Sequence, residues 1–266
     1  AASCAEQMIP VVLECGGKDP VIVAHDADIK LAAEYALWSA MANAGQSCIG
    51  AERVYVVESV ADEFIETIVD MAKKIKPGQS YGPATMPSQL NVIQSHLDDA
   101  KAKGAKFLLG GPDSVKGAFV EPVIMVDVPE DSLAMTDETF GPTLAINKVM
   151  NTDEAIKLSN ASSYGLAAAV FSKREGEKIA SKLACGMVSI NSVFLFAAIA
   201  AVPFGGVKDS GYGRIHGAEG LLEYTYARSV VKTRFKIPLR FTTFKRTKLS
   251  EKILTLLIKK LHGRKK

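Results

Sequence analysis

PVIVAHDADIKLAAEYALWSAMANAGQSCIGAERVYVV (20–57) decides how this chain folds. Two apolar runs, PVIVA (20–24) and RVYVV (53–57), enclose a stretch of helical character over 28–43, with Asp28 as its expected N-cap. Strand, helix, strand is the unit of a parallel sheet, because a parallel partner is reached only by a long crossover. Between the helix and the second strand lies NAGQSC (43–48), where Gly45 and Gln46 break the helix and leave Cys48 on a turn.

The alternation continues on both sides. VVLE (11–14) precedes Gly16-Gly17 as a short strand. A helix is predicted over 59–75, with Ser59 as cap and Val60, Phe64, Ile68 and Met71 on one face. Another is predicted over 88–103, ending at Gly104. KFLLGG (106–111) and FVEPVIMVDV (119–128) read as strands, and PEDS (129–132) links them to DETFGP (137–142). Helix 152–160, strand AAAVF (167–171), helix 173–184 and strand MVSIN (187–191) follow. The pattern predicts an α/β fold with a largely parallel sheet flanked by helices. After it comes an apolar run too short to span a bilayer, then six glycines between Gly205 and Gly220, which mark tight turns. SVVKTRFKI (229–237) reads as a strand without an evident partner in this chain.

The chain has 266 residues, enough for one large domain or two modest ones, with the 48% apolar and 23% charged content of a soluble globular protein. Its formal charge of +3 conceals an asymmetry: residues 240–266 hold ten Lys/Arg against Glu251, and the rest is net −6. Four cysteines, with no C-x-x-C pair and no zinc spacing, argue against a disulfide framework and a metal site and for a reducing, cytoplasmic setting. The start AASCAEQMIP lacks the features of a signal peptide and reads as the inside of a longer chain or a processed product.

Taken singly, the chemically useful residues are ambiguous. Cys48 reads as a small buried hydrophobe or as a nucleophile with backbone N–H groups beside it. Glu14, acidic in an apolar run, reads as the partner of a core cation or as a general base whose pKa burial raises. Gly16 and Gly17 behind it admit close backbone approach. Glu138 reads as a solvated loop acid or as an acceptor for ribose hydroxyls. The segment G-Y-G-R-I-H-G does not fit a dinucleotide-binding G-x-G-x-x-G, and neither a P-loop nor a Ser-centred elbow occurs.

Together, LECGGKDP (13–20), NAGQSC (43–48), ETFGP (138–142) and PFGGVKDSGYGR (203–214), in this order, resemble the aldehyde dehydrogenase superfamily, as does the interval of 34 residues from Glu14 to Cys48. The resemblance covers about residues 1–237. It implies an enzyme that oxidises a small-molecule aldehyde to a carboxylic acid with NAD or NADP. Cys48 would form a thiohemiacetal and then a thioester, and Glu14 would activate the hydrolytic water. Glu138 would bind the nicotinamide ribose with Phe140 packing nearby, Asn191 would support the catalytic loop, and Gly16 would serve close approach. A homo-oligomer is expected.

The same comparison sets limits. Most of the family's Rossmann-like cofactor domain precedes the LELGG-type segment, so the resemblance implies that residues 1–14 end that domain, 15–210 form the catalytic domain, 211–239 a return segment with an oligomerisation strand, and 240–266 a separate basic amphipathic tail. A glutamate that some members carry after the arginine matching Arg214 is Ile215 here. Two further readings stay open: a chain that binds no nucleotide and is non-catalytic or a weak thiol esterase, and a CoA-acylating variant, against which Glu14 argues. Phe194 and Phe196 are expected to line an entrance for an apolar aldehyde. In the tail, Ser250 is the expected N-cap with Leu249 stapled to Leu254, and Leu254, Leu257, Ile258 and Leu261 form an apolar stripe. That stripe suits packing on protein or contact with an anionic membrane surface; no nucleic-acid module is recognisable.

Overall fold

In the computed structural model, residues 1–235, 243–245 and 247–263 are described. The chain divides into two units, Ala1–Tyr226 and Ala227–Lys266. The first is built on a seven-stranded sheet: β1 (Asp19–Val23), β2 (Ala51–Val57), β3 (Lys106–Leu109), β4 (Val123–Val126), β5 (Thr143–Val149), β6 (Ala167–Phe171) and β7 (Met187–Ile190). Their spatial order is β7-β6-β1-β2-β5-β4-β3, and every pairing is parallel except β3 with β4. The expected α/β architecture is therefore present.

The central strands are buried on both faces, which is why they read as unbroken apolar runs. Alternate residues feed two cores. Val21, Val23, Val54 and Val56 face the Ile29–Met41 and Glu58–Ala72 helices, while Ile22, Tyr55 and Val57 face the Pro87–Ala102 and Thr152–Ala161 helices. Ala32, Ala33, Ala36 and Ala40 are all buried on the first helix, and such small side chains let it approach the sheet closely. Phe64 and Ile68 lie one turn apart on the next helix, and full burial of each stabilises by roughly 1.5–3 kcal/mol.

Several sequence expectations need correction. Asp28 caps its helix by accepting from the Leu31 N–H, but Ser59 caps nothing. β2 runs directly into the Glu58–Ala72 helix, so the position before it is the last strand residue, Val57. The 119–128 run is divided at Pro122, which has no N–H to give a ladder: Phe119–Val120 forms a hairpin with Val115–Lys116, and only Val123–Val126 joins the sheet. The 173–184 helix shrinks to Gly176–Ala180, because Asp26 and Ser172 take the N–H groups of Arg174 and Glu175, and Asn160 takes that of Ala184. β5, which the sequence pattern does not mark as a strand, pairs with both β2 and β4. Residues 229–235 form no strand, in keeping with the lack of a partner, and 236–237 lie outside the described residues.

Within the second unit, Lys248–His262 is a helix. Its N-cap is Thr247, not Ser250. The Thr247 hydroxyl accepts from the Ser250 N–H at 3.3 Å and the Ser250 hydroxyl accepts from the Thr247 N–H at 3.0 Å. This reciprocal box starts the helix early enough to put Leu249 in its first turn, so the expected staple does not form.

Candidate active site

Cys48 sits after the Ile29–Met41 helix, on a turn forced by three consecutive left-handed residues, Asn43, Ala44 and Gly45. A Cβ at Gly45 would collide with the Gly141 carbonyl, so only glycine lets this turn back onto the DETFGP loop. Gln46 ties the turn to a third segment, accepting from the Thr85 N–H at 2.8 Å and hydroxyl at 2.9 Å and donating to the Pro83 carbonyl at 3.3 Å. On the far side, the Ser39 hydroxyl accepts from the Ala51 N–H at 2.9 Å as β2 begins. The thiol itself is half-buried against a small apolar cluster of Leu166, Ala167, Met187, Phe196 and Phe204.

Glu138 reaches the same place from the opposite loop. It accepts from the Gly17 N–H at 3.0 Å, and a side chain at Gly16, where φ is +80°, would strike its carboxylate. Burial raises its pKa to about 7, against the pull of that hydrogen bond. The loop is held by a buried ion pair that sequence reading missed. Lys18 pairs with Glu52, and Glu52 accepts from the Thr139 and Phe140 N–H groups at 2.8 and 2.9 Å. Lys18 and His96 meet the Thr139 hydroxyl at 3.1 and 3.0 Å. Each of these charges, read alone, passes for a surface residue. The only hint was their position next to the apolar runs that became β1 and β2. Phe140 is half-buried with φ at +50°, a strained conformation fixed by these bonds.

Glu14 arrives differently. Leu13–Glu14 forms a two-residue antiparallel ladder with Gly211–Tyr212, outside the main sheet. The residue is exposed, not buried as the apolar context suggested, and its pKa is nevertheless raised by partial burial, with His216 pulling it back. Burial also raises the Cys48 pKa, helped by the negative charges of Glu14, Asp19 and Glu138. The structure thus brings Cys48, Glu14, Glu138 and Gly16 together. The Asn191 side chain accepts from the Ser172 N–H at 3.0 Å and donates to the Ser172 carbonyl at 2.9 Å, pinning the end of β6. Phe194 packs edge-on to Trp38 with ring centroids 5.2 Å apart, and Phe196 belongs to the cluster around Cys48. Among the described residues, no group of His, Cys, Asp and Glu side chains is arranged to hold a metal ion.

The chain is similar in sequence and fold to known proteins. The chain is 40% identical over 240 residues to a 4,4'-diapolycopene aldehyde oxidase of Methylomonas, matching 88% of this chain and 45% of that one. It superposes on Staphylococcus aureus betaine aldehyde dehydrogenase, solved in complex with NAD+, with a TM-score of 0.82 and 35% identity over 91% of this chain and 50% of the other. An NADP-dependent enzyme of E. coli gives a TM-score of 0.79 at 34% identity, covering 84% and 48%. The chain spans about half the length of the relatives it matches. The model of the aldehyde dehydrogenase family matches residues 1–230, which takes in the whole of the first unit, and the chain therefore belongs to that family.

Proposed function

We propose that this chain carries the covalent half of an NAD(P)-dependent oxidation of an aldehyde to a carboxylic acid. The observation that carries the reading is that the Cys48 turn and Glu138 both close on Gly16-Gly17, just after Glu14: the Gly17 N–H donates to Glu138 at 3.0 Å, and a Cβ on Gly17 would stand 3.1 Å from the Cys48 carbonyl. As the sulfur bonds to the aldehyde carbon, the thiol proton passes to a neighbouring carboxylate, and the carbonyl electrons move to an oxygen beside the N–H groups of the Cys48 turn. Glu138 and Phe140 would hold the nicotinamide ribose. The fit is good, because Glu138 is held by one N–H and keeps lone pairs for hydroxyls, and Gly16 leaves its face unobstructed. A nicotinamide bound there supplies the hydride acceptor. Glu14 then takes a proton from water as that water attacks the thioester and the Cys48 sulfur leaves. Its exposure suits a base that must draw on solvent.

The substrate is an apolar aldehyde. Phe196 and Phe204 pack beside Cys48, exposed Leu195 and Ile199 lie in the same segment, and one relative is named for a diapolycopene aldehyde. Lengthening an alkyl aldehyde should raise kcat/KM by about fourfold per buried methylene, and a preference for short polar aldehydes would overturn the assignment. We also place the protein in the cytoplasm as a homo-oligomer. Four free cysteines and the exposed, unpaired Val230 and Val231 support this, and cell fractionation and sedimentation velocity test it.

The reaction itself is tested by mass spectrometry after incubation with aldehyde and NAD or NADP: an acyl adduct on Cys48 is expected, and its absence with turnover persisting in Cys48→Ala defeats the proposal. A second reading rests on the half-length match: the 266 residues alone bind no nucleotide and act as a weak thiol esterase or not at all. Calorimetric titration with NAD separates the two, since tight binding to the chain excludes the second.

A further inference from the structure

The Lys248–His262 helix lies beyond the stretch the family match covers, and the chemistry proposed above gives it no task. At 3.6 residues per turn, Leu249, Ile253, Leu254, Leu256, Leu257, Ile258 and Leu261 spread over an arc of roughly 200°, while Lys248, Lys252 and Lys259 line the opposite face. Leu249, Leu256, Ile258 and Leu261 are 67, 67, 52 and 72% exposed. Lys260 falls inside the apolar arc, where its stem can lie along apolar surface while the ammonium reaches outward. We propose that this helix lies flat on an anionic lipid bilayer, with its apolar arc among the acyl chains and its lysines at the headgroups.

Three observations select this occupant. Fifteen residues make a helix of about 22 Å, short of the ~30 Å hydrocarbon core, and among the described residues no helix is long and apolar enough to cross a membrane. It can lie in an interface but not span it. The apolar arc is wider than the narrow seam of a coiled coil, and ten basic residues against one acid over 240–266 make a second copy of the tail a repulsive partner. Nucleic acid would satisfy the lysines and leave the exposed Leu249, Leu256, Leu257, Ile258 and Leu261 in water. A negatively charged bilayer meets both demands, and each lysine or arginine near it adds to the attraction.

Flotation of the full 266-residue chain with lipid vesicles tests this. Binding to mixed phosphatidylcholine–phosphatidylglycerol vesicles should be at least ~10-fold tighter than to phosphatidylcholine alone, and should weaken as salt rises. Leu257→Asp, in the middle of the arc, should cut binding to the mixed vesicles at least ~10-fold, and Lys252→Glu with Lys259→Glu should abolish the preference for the anionic lipid. Unchanged far-UV circular dichroism and melting temperature of the first unit show that the variants remain folded. No flotation of the parent chain overturns the proposal. So does full binding by Leu257→Asp, which would mean charge attraction alone. A self-associated species in sedimentation that Leu257→Asp dissociates would assign the face to a second copy instead. None of these results depends on whether Cys48 forms a thioester.

Discussion

Cys48 and Glu14 meet at one site but are held there by different means. The Cys48 turn runs into β2, the middle strand of the main sheet, and is fastened by the Ser39–Ala51 bond across it, by the Gln46 bonds to Thr85 and by the close approach of Gly45 to Gly141. Glu14 sits in a two-residue ladder outside that sheet, and its partner residues lie almost two hundred positions later, at Gly211–Tyr212. The proposed nucleophile thus belongs to the main scaffold, whereas the proposed base is held by the short ladder with Gly211–Tyr212 and faces solvent. Such a division suits two-stage covalent chemistry, in which the sulfur must be placed before substrate arrives but the base acts later, with water.

The largest expected difference lies in the chemistry. Cys48→Ala should abolish acylation and lower turnover by about 10³-fold or more, whereas Glu14→Gln should still acylate and accumulate the thioester, slowing its hydrolysis by about 10²-fold. Rapid-quench mass spectrometry distinguishes these outcomes, and loss of acylation in both variants would break the division of labour. Next, Lys18→Met strands the Glu52 carboxylate beneath the Glu138 loop and should destabilise the chain by about 3–5 kcal/mol in urea unfolding, an effect with no counterpart near Glu14. Gly45→Ala should cost about 2–3 kcal/mol through its left-handed backbone and the collision with Gly141, and it should alter the rate of Cys48 alkylation.

The smallest effect is a pH dependence. Burial raises the folded-state pKa of Glu138 from 4.5 to about 7, so the native state binds this proton more tightly than the unfolded chain. The stability this group contributes is present below pH 4.5 and is lost as pH rises through about 7. Glu138→Gln, which can still accept from Gly17, should therefore gain about 1–2 kcal/mol at pH 8, after discounting for solvent screening, and nothing at pH 4. The same substitution removes a negative charge near the thiol and should move the alkylation midpoint of Cys48 to lower pH. Thermal melts and iodoacetamide kinetics across pH measure the two effects.

The parts of the site that were legible in the sequence are those marked by local chemistry. Gly45 and Gln46 mark a break locally, so a turn carrying Cys48 followed from neighbouring residues, although the helix already ends at Met41, ahead of left-handed Asn43 and Ala44. The segment 229–235 was not legible: its β-branched run reads as a strand, but no ladder forms there. Illegible were the pieces whose meaning depends on distant partners. Thr143–Val149 is a central strand, but Asn147 and Lys148 interrupt its apolar pattern and Gly141-Pro142 disguise its start; it is a strand because β2 and β4 supply its ladder. Lys18 and Glu52, 34 positions apart, form a buried pair only after β1 and β2 are laid side by side.

The sequence by itself determined the alternation of strands and helices, the turn that presents Cys48, and the amphipathic character of the tail, because these follow from side-chain periodicity and backbone preference over a few residues. Only the tertiary structure decided that Glu138 is drawn out of water against Gly17, that Glu14 is left exposed on a two-residue ladder, and that a buried Lys18–Glu52 pair anchors the loop between them. Burial and electrostatic environment are properties of the assembled neighbourhood, and no local stretch of chain contains them.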